Sequence, residues 1–121
     1  MQQDSIAHDM PLSIPADDNT SMRASDMRRH ADDAAVLLRS LGNPQRLLIL
    51  CYLVEGEHSV GELLARLDIS QSSLSQHLAV LREAGMVAGR RDGLNVHYSL
   101  NEGPARELLA TLHRIYCKEE S

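Results

Sequence analysis

The sequence predicts a mainly α-helical domain with one small β-hairpin, and three observations carry that expectation. Apolar residues recur at helical spacing, most cleanly Leu74, Leu78 and Leu81 at i, i+4 and i+7. Met86 to Arg91 and Leu94 to Leu100 read as two strands flanking the turn signal Asp92-Gly93. Short breaks at Gly42-Asn43-Pro44, Asp68-Ile69-Ser70 and Gly85 separate the helical stretches. In chain order this gives helix, helix, helix-turn-helix, hairpin, helix, which is a winged helix-turn-helix arrangement.

Residues 1–24 are expected to be a disordered acidic leader. They hold Asp4, Asp9, Asp17 and Asp18 and are punctuated by Pro11 and Pro15. The folded domain is expected over 25–119. Its first helix runs from Ser25 to Gly42 with a small-residue stripe of Met27, Ala31, Ala34, Ala35 and Leu38. Asn43 then caps and Pro44 opens a second helix. Leu47, Leu50, Cys51 and Val54 are expected to form its buried face. Ser59-Val60-Gly61-Glu62 has the form of a capping box and starts a short helix with Leu63, Leu64 and Leu67 as its apolar stripe. After a tight turn, Ser70 or Gln71 begins a further helix that Gly85 ends as a left-handed cap. The last helix, Ala105 to about Lys118, has a broad apolar side of Leu108, Leu109, Leu112, Ile115 and Tyr116.

The chain of 121 residues contains no Phe, no Trp and three Tyr, so its core must be built from Leu, Val, Ile and Ala. So thin a core makes dimerisation a source of stability, and the first and last helices are the natural interface. The formal net charge is −5, of which residues 1–20 account for −4, leaving twelve cations against thirteen acids in the rest. That acidity counts against a nonspecific polyanion binder but leaves local arginines free to grip phosphates. No apolar run is long enough to span a membrane, and the start resembles no secretory signal, so a cytoplasmic location is expected. Two cysteines 66 positions apart in that compartment are expected to be reduced thiols.

The helix after the turn carries an unusual polar face. Ser72, Ser73, Ser75, Gln76 and His77 replace the usual Glu and Lys, and such groups reach base edges and phosphates in a DNA major groove. Arg90, Arg91, Asn95 and His97 lie near the hairpin tip, where cations suit phosphate or minor-groove contact. His77 packed against the preceding helix is the competing reading, and His30, His58 and His97 look like scattered surface residues. A catalytic function is not expected, because the chain has no C-x-x-C, no Gly-rich phosphate loop and no βαβ pattern.

The segments LGNPQRLLIL (41–50), the run 53–100 with LSQHL and LREAG-V, and the closing helix together resemble the ArsR/SmtB family of bacterial winged-helix repressors. The resemblance covers everything after the leader. It implies a homodimer joined through first and last helices, bound at rest to double-stranded operator DNA bearing an inverted repeat, and released when an inducer is sensed. Metal-sensing members carry paired Cys in the helix before the turn, or zinc ligands in the last helix. Here Val60 to Leu67 has no Cys, and Glu107, His113 and Cys117 do not meet the family spacing, so neither a metal nor another cofactor is expected. Cys51 and Cys117 instead look like the dithiol pair of the persulfide-sensing subgroup, typified by SqrR and BigR with HlyU as a relative. By that resemblance a small-molecule persulfide or polysulfide links the two thiols through a disulfide or a short sulfur bridge. Arg46 and His113 are the nearby cations that would activate a thiolate. The alternatives are a metal(loid)-responsive repressor of the same family and a winged-helix protein-interaction module without an inducer.

Overall fold

The computed structural model describes residues 22–117. The expected leader therefore lies, except for Met22 to Ala24, outside the described residues, as does any continuation of the last helix beyond Cys117. The described residues divide into two units, with the boundary between Asp32 and Asp33. In the first, α1 (Ala24–Met27) and a 3-10 turn (Arg28–His30) precede the opening residues of α2 (Ala31–Leu41). The single helix expected from Ser25 to Gly42 is thus interrupted. No residue of α1 or of the turn is buried, so tertiary packing does not enforce regular helix there.

The second unit holds α3 (Pro44–Glu55), β1 (His58–Ser59), α4 (Val60–Arg66), α5 (Gln71–Glu83), β2 (Val87–Asp92), β3 (Asn95–Leu100) and α6 (Pro104–Cys117). Local chemistry sets most of these boundaries. The Asn43 carboxamide oxygen accepts from the N–H groups of Gln45 (2.9 Å) and Arg46 (3.1 Å), with Pro44 at the first helical position. Both halves of the capping box form at α4: Glu62 N–H donates to Ser59 Oγ at 3.0 Å, and Ser59 N–H donates to Glu62 Oε1 at 2.8 Å. Ser70 caps α5 by accepting from Ser73 N–H at 3.1 Å. At the other end Gly85 takes φ 78°, and the Gly85 and Met86 N–H groups return to the carbonyls of Arg82 and Leu81. That is a complete Schellman cap, and a residue bearing Cβ would be strained at Gly85.

The core joins Ile49, Leu50 and Leu53 of α3 to Leu63 of α4 and to Leu74, Leu78 and Leu81 of α5. Val87, Tyr98 and Leu100 close it from the sheet and Leu109 from α6. The α3 face differs from the expected one. Leu50 is buried, but Cys51 and Val54 are exposed and Leu47 is only half-buried. The helix carries two overlapping apolar stripes, and contact with α5 and β3 selects the one through Ile49 and Leu53.

The sheet is antiparallel in the order β1-β3-β2, one strand more than expected. His58 pairs with Tyr98 and Ser59 with His97. The hairpin register also shifts by one residue. Asp92 pairs with Asn95, so the two-residue loop is Gly93-Leu94 with Gly93 at φ 66°, and Leu94 is left 99 % exposed at the tip. Among the described residues no helix is long and apolar enough to cross a membrane.

Leu74 has no exposed surface, so Leu74→Ala should cost about 2–5 kcal/mol in denaturant unfolding. Leu94→Ala should stay within about 0.5 kcal/mol of the parent. Similar midpoints for the two variants would remove α5 from the core as described.

Candidate nucleic-acid interface and thiol pair

Burial of Leu74, Leu78 and Leu81 on one side of α5 turns Ser72, Ser75 and Gln76 to solvent. These are the exposed members of the predicted polar face. Ser73 is half-buried, and its N–H serves the Ser70 cap. Ser72 Oγ lies 3.3 Å from Ser70 Oγ, so the start of the helix presents adjoining hydroxyls beside unpaired backbone N–H groups. A helix N-terminus of this kind suits a phosphate, and an exposed Gln one turn later can offer its amide to an adenine edge.

His77 is half-buried and turned toward α3, where its Nδ1 lies 3.5 Å from Arg46 Nη1. Burial first, and then the Arg46 guanidinium, push its pKa below the usual histidine range, so the ring is neutral near pH 7. Arg46 can only donate, which places the His77 proton on Nε2. Arg46 also donates from Nε to Ser40 O (2.8 Å) and from Nη2 to Arg39 O (3.1 Å). It thus ties the end of α2 to α5, a role no local sequence signal announced.

At the hairpin tip Arg91 and Asn95 are exposed, and Arg91 makes no ion pair among the described residues. Arg90 is held by Glu57: Nη2 donates to Oε1 at 2.8 Å and Nε to Oε2 at 3.2 Å. Arg82, not singled out from the sequence, lies over β2, its Nη1 3.6 Å from where a Cβ on Gly89 would sit. Two of the three histidines expected at the surface are otherwise placed. His58 is buried with its Nδ1 2.8 Å from Gly56 O, and His97 is half-buried 3.9 Å from Asp92. His30 is exposed.

Both cysteines are free thiols, Cys51 exposed on α3 and Cys117 half-buried at the described end of α6. The two helices are in contact. Partial burial raises the Cys51 pKa, and negative charge on Cys117 and then on Glu55 raises it further. Arg46, expected as an activating cation, points instead at α2 and His77. Among the described residues no group of three or more His, Cys, Asp or Glu is arranged to hold a metal ion.

A reading helix with an open hydroxyl-and-amide face, set in a helix-turn-helix and followed by a wing, defines a DNA-binding transcriptional regulator rather than an enzyme. The profile described as "Bacterial regulatory protein, arsR family" matches residues 43–88. The chain is 48 % identical over 94 residues to the biofilm growth-associated repressor of Agrobacterium fabrum, covering 78 % of this chain and 80 % of that one. It is 44 % identical over 97 residues to the transcriptional activator HlyU of Vibrio cholerae, covering 80 % and 90 %. The crystal structure of the transcriptional repressor BigR from Xylella fastidiosa superposes with a TM-score of 0.75 at 46 % identity, over 79 % of this chain and 98 % of that one. The protein belongs to the ArsR family of transcriptional regulators.

A raised pKa means less thiolate at neutral pH, so Cys51 should alkylate slowly there, with a pH midpoint above that of an ordinary thiol. Cys117→Ser and Glu55→Gln each remove one raising charge and should move the midpoint down. Peptide-resolved iodoacetamide labelling across pH measures it. A midpoint unmoved by both substitutions would contradict the placement of the pair.

Proposed function

We propose that the protein is a homodimeric repressor whose reduced form holds operator DNA and whose Cys51–Cys117 pair releases it on reaction with a reactive sulfur species. The observation that carries this reading is the pair itself: two free thiols on adjoining helices, one of which packs against the reading helix. Ser72, Ser73, Ser75 and Gln76, with His77 behind them, read the major groove, and Arg91 and Asn95 contact the backbone. One relative is named a repressor and another an activator. Repression is favoured because the unbridged chain already carries the whole reading surface.

The chemistry balances without a cofactor. A Cys thiolate attacks the sulfane sulfur of a persulfide RSSH, forming Cys–S–SH and expelling RS⁻. The second thiolate then attacks the inner sulfur and expels HS⁻, leaving a disulfide. If both thiols first take up sulfur, two Cys–S–SH groups condense to a trisulfide with loss of hydrogen sulfide. Extra sulfur relaxes the Cα separation of about 7 Å that a direct disulfide allows.

The dimer reading rests on unpartnered apolar surface. A groove of about 590 Å³ between α2 and α6 is lined by Ala34, Leu37, Leu38, Pro104, Leu108 and Thr111 among others. Leu38 is 60 % exposed in the single chain, and Ile115 and Tyr116 are exposed on α6. A two-fold dimer places its reading helices in successive major grooves about 34 Å apart, so half-site centres fall about ten base pairs apart.

In gel shifts the reduced protein should bind an inverted repeat, and persulfide should release it with a mass change matching the bridge. Cys51→Ser and Cys117→Ser should each bind and fail to respond; release of either by persulfide would sink the bridge. Gln76→Ala should lose about 1–3 kcal/mol of discrimination at one base position while remaining dimeric. Equal weakening on every sequence would make Gln76 a phosphate anchor instead. Leu38→Glu should abolish the dimer and operator binding together, and a fully dimeric variant would move the interface elsewhere.

A further inference from the structure

The wing is electrostatically two-sided. Side chains on a strand alternate between faces, and directly paired residues share one. Arg90 pairs with His97, which pairs in turn with Ser59. Glu57 and Asp92, each two residues away from a member of that row, fall on the same outer face. The opposite face carries Val87, Tyr98 and Leu100 into the core, and Arg91 follows on that side beyond the core's edge. Arg82 of α5 lies there too, over Gly89. Among the described residues the cations on the face turned toward the reading helix have no ion-pair partner, while on the outer face acids flank the single arginine.

On that outer face the Glu57 carboxylate and the Arg90 guanidinium meet fork to fork, at 2.8 and 3.2 Å. The contact holds the Glu57 carboxyl below the usual carboxylate range and the guanidinium above its own. Glu57 follows directly on the end of α3, with only Gly56 between helix and residue. Arg90 sits on the far strand of the sheet, with β3 between. The pair therefore ties the end of α3 across the sheet to the middle of the outermost strand. Little else does so, since β1 contributes two residues to the ladder and leaves the tip half of the hairpin as a two-stranded ribbon. Such ribbons twist readily.

We propose that Glu57 and Arg90 form a brace that fixes the orientation of the wing, so that Arg90 is a positioning residue for Arg91 on the opposite face and not itself a phosphate contact. A phosphate approaching Arg90 would have to displace a bidentate carboxylate and come up against both Glu57 and Asp92. Arg91 meets neither obstacle. An exposed ion pair adds little to global stability, so the effect belongs to the orientation of the hairpin and not to unfolding. The inference rests on the reading that the wing tip touches the DNA backbone.

The test uses the full-length reduced protein and a duplex that it selects from a randomised pool. Affinity is measured by fluorescence anisotropy over a series of KCl concentrations, and amide hydrogen exchange is followed over 91–95. Glu57→Gln and Arg90→Ala should each speed exchange at the tip and weaken binding a few-fold at every salt concentration, with the salt slope unchanged. Arg91→Ala should flatten that slope by about one unit. The charge-swapped double variant Glu57→Arg/Arg90→Glu should return exchange to the slow rate that either single reversal loses. Unchanged exchange in both Glu57→Gln and Arg90→Ala would overturn the brace. So would a slope flattened by one unit in Arg90→Ala together with tighter binding by Glu57→Gln, because Arg90 would then be a phosphate contact that Glu57 masks. If Arg91→Ala alters neither slope nor affinity, it is the wing-tip reading that fails, and the exchange data decide the brace on their own.

Discussion

Everything at the DNA-facing surface depends on how α5 is clamped by its three leucines. Leu74, Leu78 and Leu81 are buried against a core that includes Ile49, Leu50 and Leu53 of α3. Fully burying a leucine contributes about 1.5–3 kcal/mol. A helix of 13 residues is marginal alone in water, so this burial and the two end caps are what hold it. Because the leucines fix rotation about the helix axis, they also decide that Ser72, Ser75 and Gln76 face outward. The functional surface is the complement of the core stripe.

The wing resolves the tension between an acidic chain and a polyanionic partner. Net charge is a poor guide when acids and bases lie on different faces. Glu57 and Asp92 sit with Arg90 on the outer face of the sheet, whereas Arg91 and Arg82 lie toward α5. Local field, not total charge, governs whether a phosphate is attracted. The strand alternation that buries Tyr98 and Leu100 separates the charges too.

Helix α3 joins the remaining parts. It touches α5, β3 and α6, carries Cys51 outward, and ends two residues before Glu57. A covalent tie from Cys51 to α6 would act on the same rigid element that seats the reading helix. Arg46, on the opening turn of α3, adds a polar link from the end of α2 to His77. Apolar packing and these charged contacts converge on one helix, so small displacements of it have several places to act. Cys51 itself is kept mostly protonated by its surroundings, which makes it a slow nucleophile at rest.

What could be read from the sequence alone is local in origin. The Asn43-Pro44 start, the Ser59–Glu62 box, the Ser70 cap and the Gly85 stop each involve groups a few residues apart, so sequence spacing predicts their hydrogen bonds. The leucine period of α5 and the two cysteines on separate helices were legible in the same way. Only the tertiary structure decided which of two overlapping stripes on α3 is buried, because that choice depends on what α5 and β3 present to it. It also decided the two-residue strand at His58, which exists because Tyr98 and His97 offer a ladder. Pairing along that ladder set the hairpin register, moving the turn to Gly93-Leu94. The Glu57–Arg90 and Arg46–His77 contacts join residues 33 and 31 positions apart, and no spacing rule reaches that far. Local hydrogen-bond chemistry places the elements; the order in which they pack determines which side chains meet.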